Sequence, residues 1–208
     1  MDTPLKHPPL LRRHREMGAA IAEHDGWQVA RHFTSPEEEA RRVRDTAGLA
    51  DWSWISKFDL KGYGLSSPPP AEPGVHHWLL APGHYLVTSQ DTGRAKAGLN
   101  LPAPARWTEV TSLYAALLLA GPRSRDVLAK LTSLNVSDSA LPDGACAQSG
   151  LSHVHAIVLR QDVGGLLTFL VLVGREYAEF VWDSIMHAGH EYDITPFGIA
   201  CRSLLGGL

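Results

Sequence analysis

The chain has 208 residues, 44% of them apolar, enough to fill a sizeable core and to exclude disordered and fibrous classes. Its formal charge of -3, from 19 basic and 22 acidic side chains, leaves no excess that would draw it to nucleic acid or to an anionic membrane. Two cysteines, Cys146 and Cys201, make neither a disulfide framework nor a zinc knuckle, and they point to a reducing cytoplasm.

Residues 1–13 mix prolines with Lys6, Arg12 and Arg13, and no apolar stretch follows, so they read as an N-terminal tail and not as a signal peptide. Ser35-Pro36 followed by Glu38 has the capping-box pattern and predicts a helix start. Glu37 with Arg41 and Glu38 with Arg42 form i,i+4 pairs there, on what reads as a solvated face. From Ile55 to Gly62, Phe58 and Leu60 alternate with Lys57, Asp59 and Lys61, a strand with one face in the core and one in water. The proline-rich run from Ser66 to Gly74 reads as a rigid surface connection.

Trp78-Leu79-Leu80 and His84 to Thr88 flank a Pro82-Gly83 turn and predict a hairpin. A second connector, Asn100 to Trp107, leads into Thr108 to Ala120, read as a strand pair or one long buried strand ended by Gly121-Pro122. A helix follows with Val127, Leu128 and Leu131 on one face. Strands from His153 to Arg160 and Leu166 to Val173 come next, then a helix with Ala178, Val181, Trp182, Ile185 and Met186 in one stripe and Gly189 as its stop. The apolar runs Leu113 to Ala120 and Leu166 to Val173 have about half the roughly 20 residues of a membrane span. Mixed strands and helices joined by short turns predict an α+β fold.

Catalytic patterns are sparse. His153 with His155 on one strand face, and His187 with His190 one helical turn apart, are candidate metal pairs, but no His-Glu-x-x-His or Cys-x-x-Cys spacing supports them, and no metal is expected. There is no Gly-x-Ser-x-Gly elbow, and Cys146 among small residues reads as a structural thiol. The glycines at 62, 64, 164 and 165 lack the context of a phosphate loop.

Several ordered motifs carry a resemblance. His14 to Ala19 with Asp25-Gly26-Trp27, and Gly48-Leu49-Ala50-Asp51-Trp52-Ser53, resemble the opening of glycine-cleavage T-proteins. Leu80 to Leu86, Leu119 to Leu128 and Asp143 to Gln148 look most like the gamma subunit of heterotetrameric sarcosine oxidase, of the same folate-binding aminomethyltransferase superfamily. The resemblance covers residues 14 to 205 and implies two interlocked subdomains of antiparallel sheet plus helices around a central funnel. It also implies a single folate-binding-like domain over 14–208, without the further C-terminal domain of T-proteins. Tetrahydrofolate is the implied cofactor, with Trp54, Arg160 and Phe169 at its site, and flavoprotein oxidase-type subunits or further copies of the chain are the implied partners. Where the family carries an acidic pair, this chain has His76-His77-Trp78, and where it has a pterin-binding glutamate, Leu170 stands. The resemblance therefore implies a subunit or module of one-carbon and sarcosine-type amine metabolism that is non-catalytic on its own. The alternative is a tetrahydrofolate-dependent aminomethyl- or methyltransferase that uses Asp51, Asp59 or Asp91 as its base.

Overall fold

The computed structural model describes residues 4–62, 72–98 and 104–208. Gly64, the proline run from Ser66 to Ala71 and residues 100–103 of the second connector lie outside them. The fold is α+β and divides into two compact units: residues 1–54 with 115–208, and residues 55–114. The chain thus leaves the first unit at Trp54 and returns to it at Ala115.

The first unit opens with α1 (Leu11–Glu16) and a hairpin of β1 (Ala20–His24) and β2 (Trp27–His32). Asp25 and Gly26 turn that hairpin at φ of 48° and 76°, the left-handed pair that a two-residue turn demands. Residues 4–13 are no loose tail. Lys6 exchanges backbone hydrogen bonds with Gly26 and Gln28, Leu10 is fully buried, and Arg12 and Arg13 pair with Glu179 and Asp183. Packed structure therefore begins ahead of residue 14.

Helix α2 (Pro36–Asp45) starts where its cap predicts, the Glu38 N–H donating to the Ser35 hydroxyl at 3.2 Å. Its ion pairs differ from the expected ones: Arg41 grips Glu38 at 2.8 Å and Asp45 at 2.9 Å, while Arg42 donates to the Asp193 carbonyl. Glu39 is not solvated at all, being 1% exposed. β3 (Gly48–Asp51) then enters the main sheet.

In the second unit, β4 (Ser56–Lys61) lies between β6 (His84–Ser89) and β7 (Arg106–Glu109), with β5 (Val75–Ala81) beyond β6 in the order β5-β6-β4-β7. The short helix α3 (Thr92–Gly98) follows β6, and its Ala95 packs with Phe58, Leu60, Val75, Tyr85 and Val87 on one sheet face. β7 pairs with β4, whereas β8 (Tyr114–Ala120) pairs with β3, so the expected strand pair between Thr108 and Ala120 is two strands of different sheets.

Back in the first unit, α4 (Ser124–Ala129), β9 (Cys146–Leu151), β10 (Val154–Arg160), β11 (Thr168–Gly174), α5 (Ala178–Gly189) and β12 (Thr195–Pro196) complete a six-stranded sheet of order β12-β3-β8-β11-β10-β9. The stripe Val181, Trp182 and Ile185 of α5 packs with Val127 and Leu128 of α4 and with Leu49, Leu117, Leu119, Val158, Phe169 and Val171 of the sheet. Gly189 ends α5 at φ -85°, not as a left-handed cap. Its glycine is required by packing, because a Cβ there would meet Ile194 at 2.7 Å. Among the described residues, no helix is long and apolar enough to cross a membrane.

Candidate functional site

The alternation of β4 holds for Phe58 and Leu60, which are fully buried, but its other face is not simply wet. Lys57 is 0% exposed; its ammonium donates to the Ile55 carbonyl at 2.8 Å and its backbone N–H to the Thr111 hydroxyl at 3.0 Å. Only Lys61, at the far end, reaches solvent fully, so exposure rises along that face. Register puts His76 of β5 and Lys57 of β4 on either side of Thr88 in β6, and the Trp78 indole N–H donates to the Thr88 hydroxyl at 2.8 Å. Burial lowers the pKa of both His76 and His77, which keeps them neutral, with no carboxylate in either position. Asp59 accepts from Lys61 at 2.7 Å and from His84; burial opposes ionisation, but these two donors prevail and hold its pKa low.

In the first unit the end of β3 is fixed by short bonds. Ser53 N–H donates to the Asp51 carboxylate at 2.9 Å, and the Ser53 hydroxyl accepts from Ala116 N–H at 3.1 Å. These bonds set a run of rings: Trp52 lies 6.0 Å from Trp54 and 5.8 Å from Phe197, and Trp54 stands edge-on to His24 at 4.4 Å. The Trp54 indole N–H is buried and has no partner, nor has the Asp51 Oδ2. His14, 1% exposed, contacts Phe33 and Trp182 edgewise, and neither of its ring nitrogens has a hydrogen-bond partner. Its pKa is lowered by burial, against an opposing pull from Asp51. Buried polar atoms nearly always find partners, and the Asp51 Oδ2 and Trp54 Nε1, close together in sequence, are exceptions to that rule.

Arg160 and Phe169 face each other across β10 and β11. The Arg160 guanidinium donates to Asp138 at 2.6 Å, to Asp162 at 2.8 Å and to the Leu141 carbonyl, and Phe169 is wholly inside the main core. No ring contact or hydrogen bond links either to Trp54 among the described residues. Leu170 pairs with Leu159 and projects from the opposite sheet face to Phe169. Asp91 accepts the Arg94 N–H at the start of α3, a capping role. Among the expected metal pairs, His153 sits at φ 69° in the β9–β10 turn and not on a strand face with His155. His187 and His190 line an open cleft of about 540 Å³ with Lys130, Ser184 and Glu191. Cys146 lies half-buried on β9 with its thiol pKa raised by burial, a structural setting.

Glu39 escaped the reading of the sequence. Its carboxylate accepts N–H groups of Phe33, Thr34 and Gly198 and the Cys201 thiol, whose pKa burial and this bond push up. The capping pattern drew the eye to Glu38, one position early, and partners near residue 200 leave no local signal.

The chain belongs to the GCVT N-terminal domain family, which matches residues 77–206. It is 26% identical to the aminomethyltransferase of Halothermothrix orenii over 97% of this chain, and 23% identical to the sarcosine oxidase subunit alpha of Rhizobium meliloti over 97%. The chain spans 64% of the first relative and 25% of the second. Its fold is that of the glycine cleavage system aminomethyltransferase T of Bartonella henselae, with a TM-score of 0.76 at 18% identity, covering 97% of this chain and 62% of that one. It also matches a chain of the heterotetrameric sarcosine oxidase of Corynebacterium sp. U-96, with a TM-score of 0.65 at 13% identity over 90% of this chain and 96% of that one. The superfamily expected from the motifs is therefore the right one.

Proposed function

We propose that this chain is a folate-binding-type module of one-carbon and sarcosine-type amine metabolism, non-catalytic on its own, working beside flavoprotein oxidase-type subunits or further copies of itself. The observation that carries the reading is the pair His76-His77, neutral and part-buried on β5, at the place where the resemblance puts acidic residues. These imidazoles supply no negative charge, so the carboxylate that the resemblance places here for methylene transfer has no counterpart at these positions. The aminomethyltransferase and sarcosine oxidase relatives support the metabolic class, and the heterotetrameric neighbour supports a multi-subunit setting, for which the cytoplasm is the proposed compartment.

Tetrahydrofolate fits these residues in part. Trp54, buried among Trp52 and His24, offers an N–H without an acceptor in the chain, which a ligand oxygen or nitrogen would satisfy. Arg160 and Phe169 would serve the cofactor by fixing β10 and β11, since the ion pairs of one and the core packing of the other leave no free donor or ring edge. Leu170 cannot accept pterin N–H groups, so recognition of that ring is looser than in a T-protein. The domain of this reading is residues 14–208 with residues 4–13 packed onto it.

A second reading is favoured by Asp51, whose Oδ2 is buried without a partner and could act as a base in an aminomethyltransferase. Incubating the chain with tetrahydrofolate and a radiolabelled S-aminomethyl thiol, a donor whose methylene is already at the oxidation level of the product so that only the free thiol and ammonia need leave, separates the two. The module reading expects no labelled methylene on the folate; transfer that Asp51→Asn abolishes would replace it with the second reading.

A further inference from the structure

Lys61, at the end of β4, lies directly opposite His84 of β6 and Arg106 of β7. Directly opposed residues of antiparallel strands share a face, and adjacent strands are about 4.8 Å apart, so three basic side chains form one row across three strands. The like charges of Lys61 and Arg106 so placed repel one another. Asp59, one pair further along the same face, offsets part of this charge by accepting from Lys61 and His84. It leaves Arg106 aside: that guanidinium donates only to the Ala105 carbonyl, and no carboxylate pairs with it among the described residues. Arg106 is exposed, as is Thr108, which stands opposite Asp59 on the same face with a hydroxyl to give. Tyr114, held protonated by burial and by Asp59, adds a phenol to the same neighbourhood.

We propose that the row His84, Lys61 and Arg106 is an oxyanion site that takes a carboxylate or phosphate group of a small ligand. Arg106 grips two oxygens through its planar fork, the Lys61 ammonium, shared with Asp59, adds a donor beside it, and Thr108 donates a further hydrogen bond. Asp59 holds His84 and Lys61 in place, so the row is ordered before the ligand arrives. None of these residues is among those of the folate reading, Trp54, Arg160 and Phe169.

The test is an NMR titration of the labelled full chain with citrate and, separately, with pyrophosphate, at ionic strength held constant by chloride. Amide shifts should be confined to residues around Lys61, His84 and Arg106. Arg106→Gln should weaken binding about tenfold, or ~1.4 kcal/mol, and Arg106→Lys should recover only part of that. Tighter citrate binding would identify a carboxylate source, tighter pyrophosphate binding a phosphate source, and either supports the site. Shifts scattered over the basic surface, no shifts at all, or unchanged affinity in Arg106→Gln would overturn it. Arg106 is exposed on an edge strand, and superposable spectra of the free proteins would show that the variant is folded. Neither probe contains a pterin, so failure here leaves the folate reading untouched, and the reverse holds too.

Discussion

The carboxylate of Glu39 accepts the backbone N–H of Gly198 at 2.9 Å, across 159 positions of sequence. Together with the amides of Phe33 and Thr34 and the Cys201 thiol, that contact makes one buried side chain the tie between the approach to α2 and the C-terminal segment. Glu39→Ala should strand the buried Gly198 N–H and release the more accessible amides of Phe33 and Thr34, lowering stability by about 1–3 kcal/mol. Glu39→Gln, which keeps one acceptor oxygen, should cost less. Urea unfolding of both variants checks the order, and an alanine variant as stable as the native chain would show that the tie contributes nothing.

Arg160 is 6% exposed and holds Asp138 and Asp162. Arg160→Ala should destabilise the chain by removing the guanidinium's bonds to Asp162 and to the buried Leu141 carbonyl, while the exposed Asp138 keeps Arg125 as a partner. The Arg160 hydrogen bond also holds the Asp138 carboxyl below its ordinary range. A depressed carboxyl adds stability that is complete above the unfolded value and is lost as pH falls through the folded one. Acid unfolding below about pH 4 should therefore be less steep in the variant. Equal slopes would contradict the linkage.

His14 titrates the other way by charge and the same way by pH. Its pKa is lowered by burial, so the unfolded chain binds a proton that the folded chain refuses, and stability rises with pH through that window. Melting temperature should begin to drop as pH falls below about 6.5. His14→Leu, which exchanges an imidazole without hydrogen-bond partners for an apolar side chain, should flatten that early part of the curve. A curve unchanged by the substitution would place the early titration elsewhere.

Gly189 gives a test of packing against conformation. Gly189→Ala should cost about 1–3 kcal/mol, because the new methyl meets Ile194 and not because the backbone is left-handed. Trimming the neighbour in Gly189→Ala with Ile194→Ala, which removes Cγ2 and Cδ1 of the three carbons the new methyl meets, should recover part of the loss. A double variant no better than the sum of the two single ones would contradict the steric account.

Much of the fold was legible because it rests on local periodicity. The stripe of α5, the Trp78 to Thr88 hairpin, the Ser35 cap and the paired strands β10 and β11 each declare themselves within a dozen residues. What alternation cannot say is whether the second face of a strand is also covered, and Lys57 shows the result: a lysine read as solvated is wholly buried. Glu39 and Arg160 make the same point for side chains whose partners are far away in sequence or already charged. Of the expected site residues, Trp54 had no periodic signal of its own, and its unpaired N–H is visible only in three dimensions.

The central claim, a folate-type ligand held at Trp54 without turnover, is tested most directly by calorimetric titration of the purified chain with tetrahydrofolate. The account predicts micromolar binding, and it predicts that Trp54→Phe, which keeps a ring but removes the unpartnered N–H, weakens binding about tenfold or ~1.4 kcal/mol. Because that N–H has no acceptor in the chain, the variant should melt within a few degrees of the native protein. No heat of binding, or binding that Trp54→Phe leaves unchanged, would contradict it.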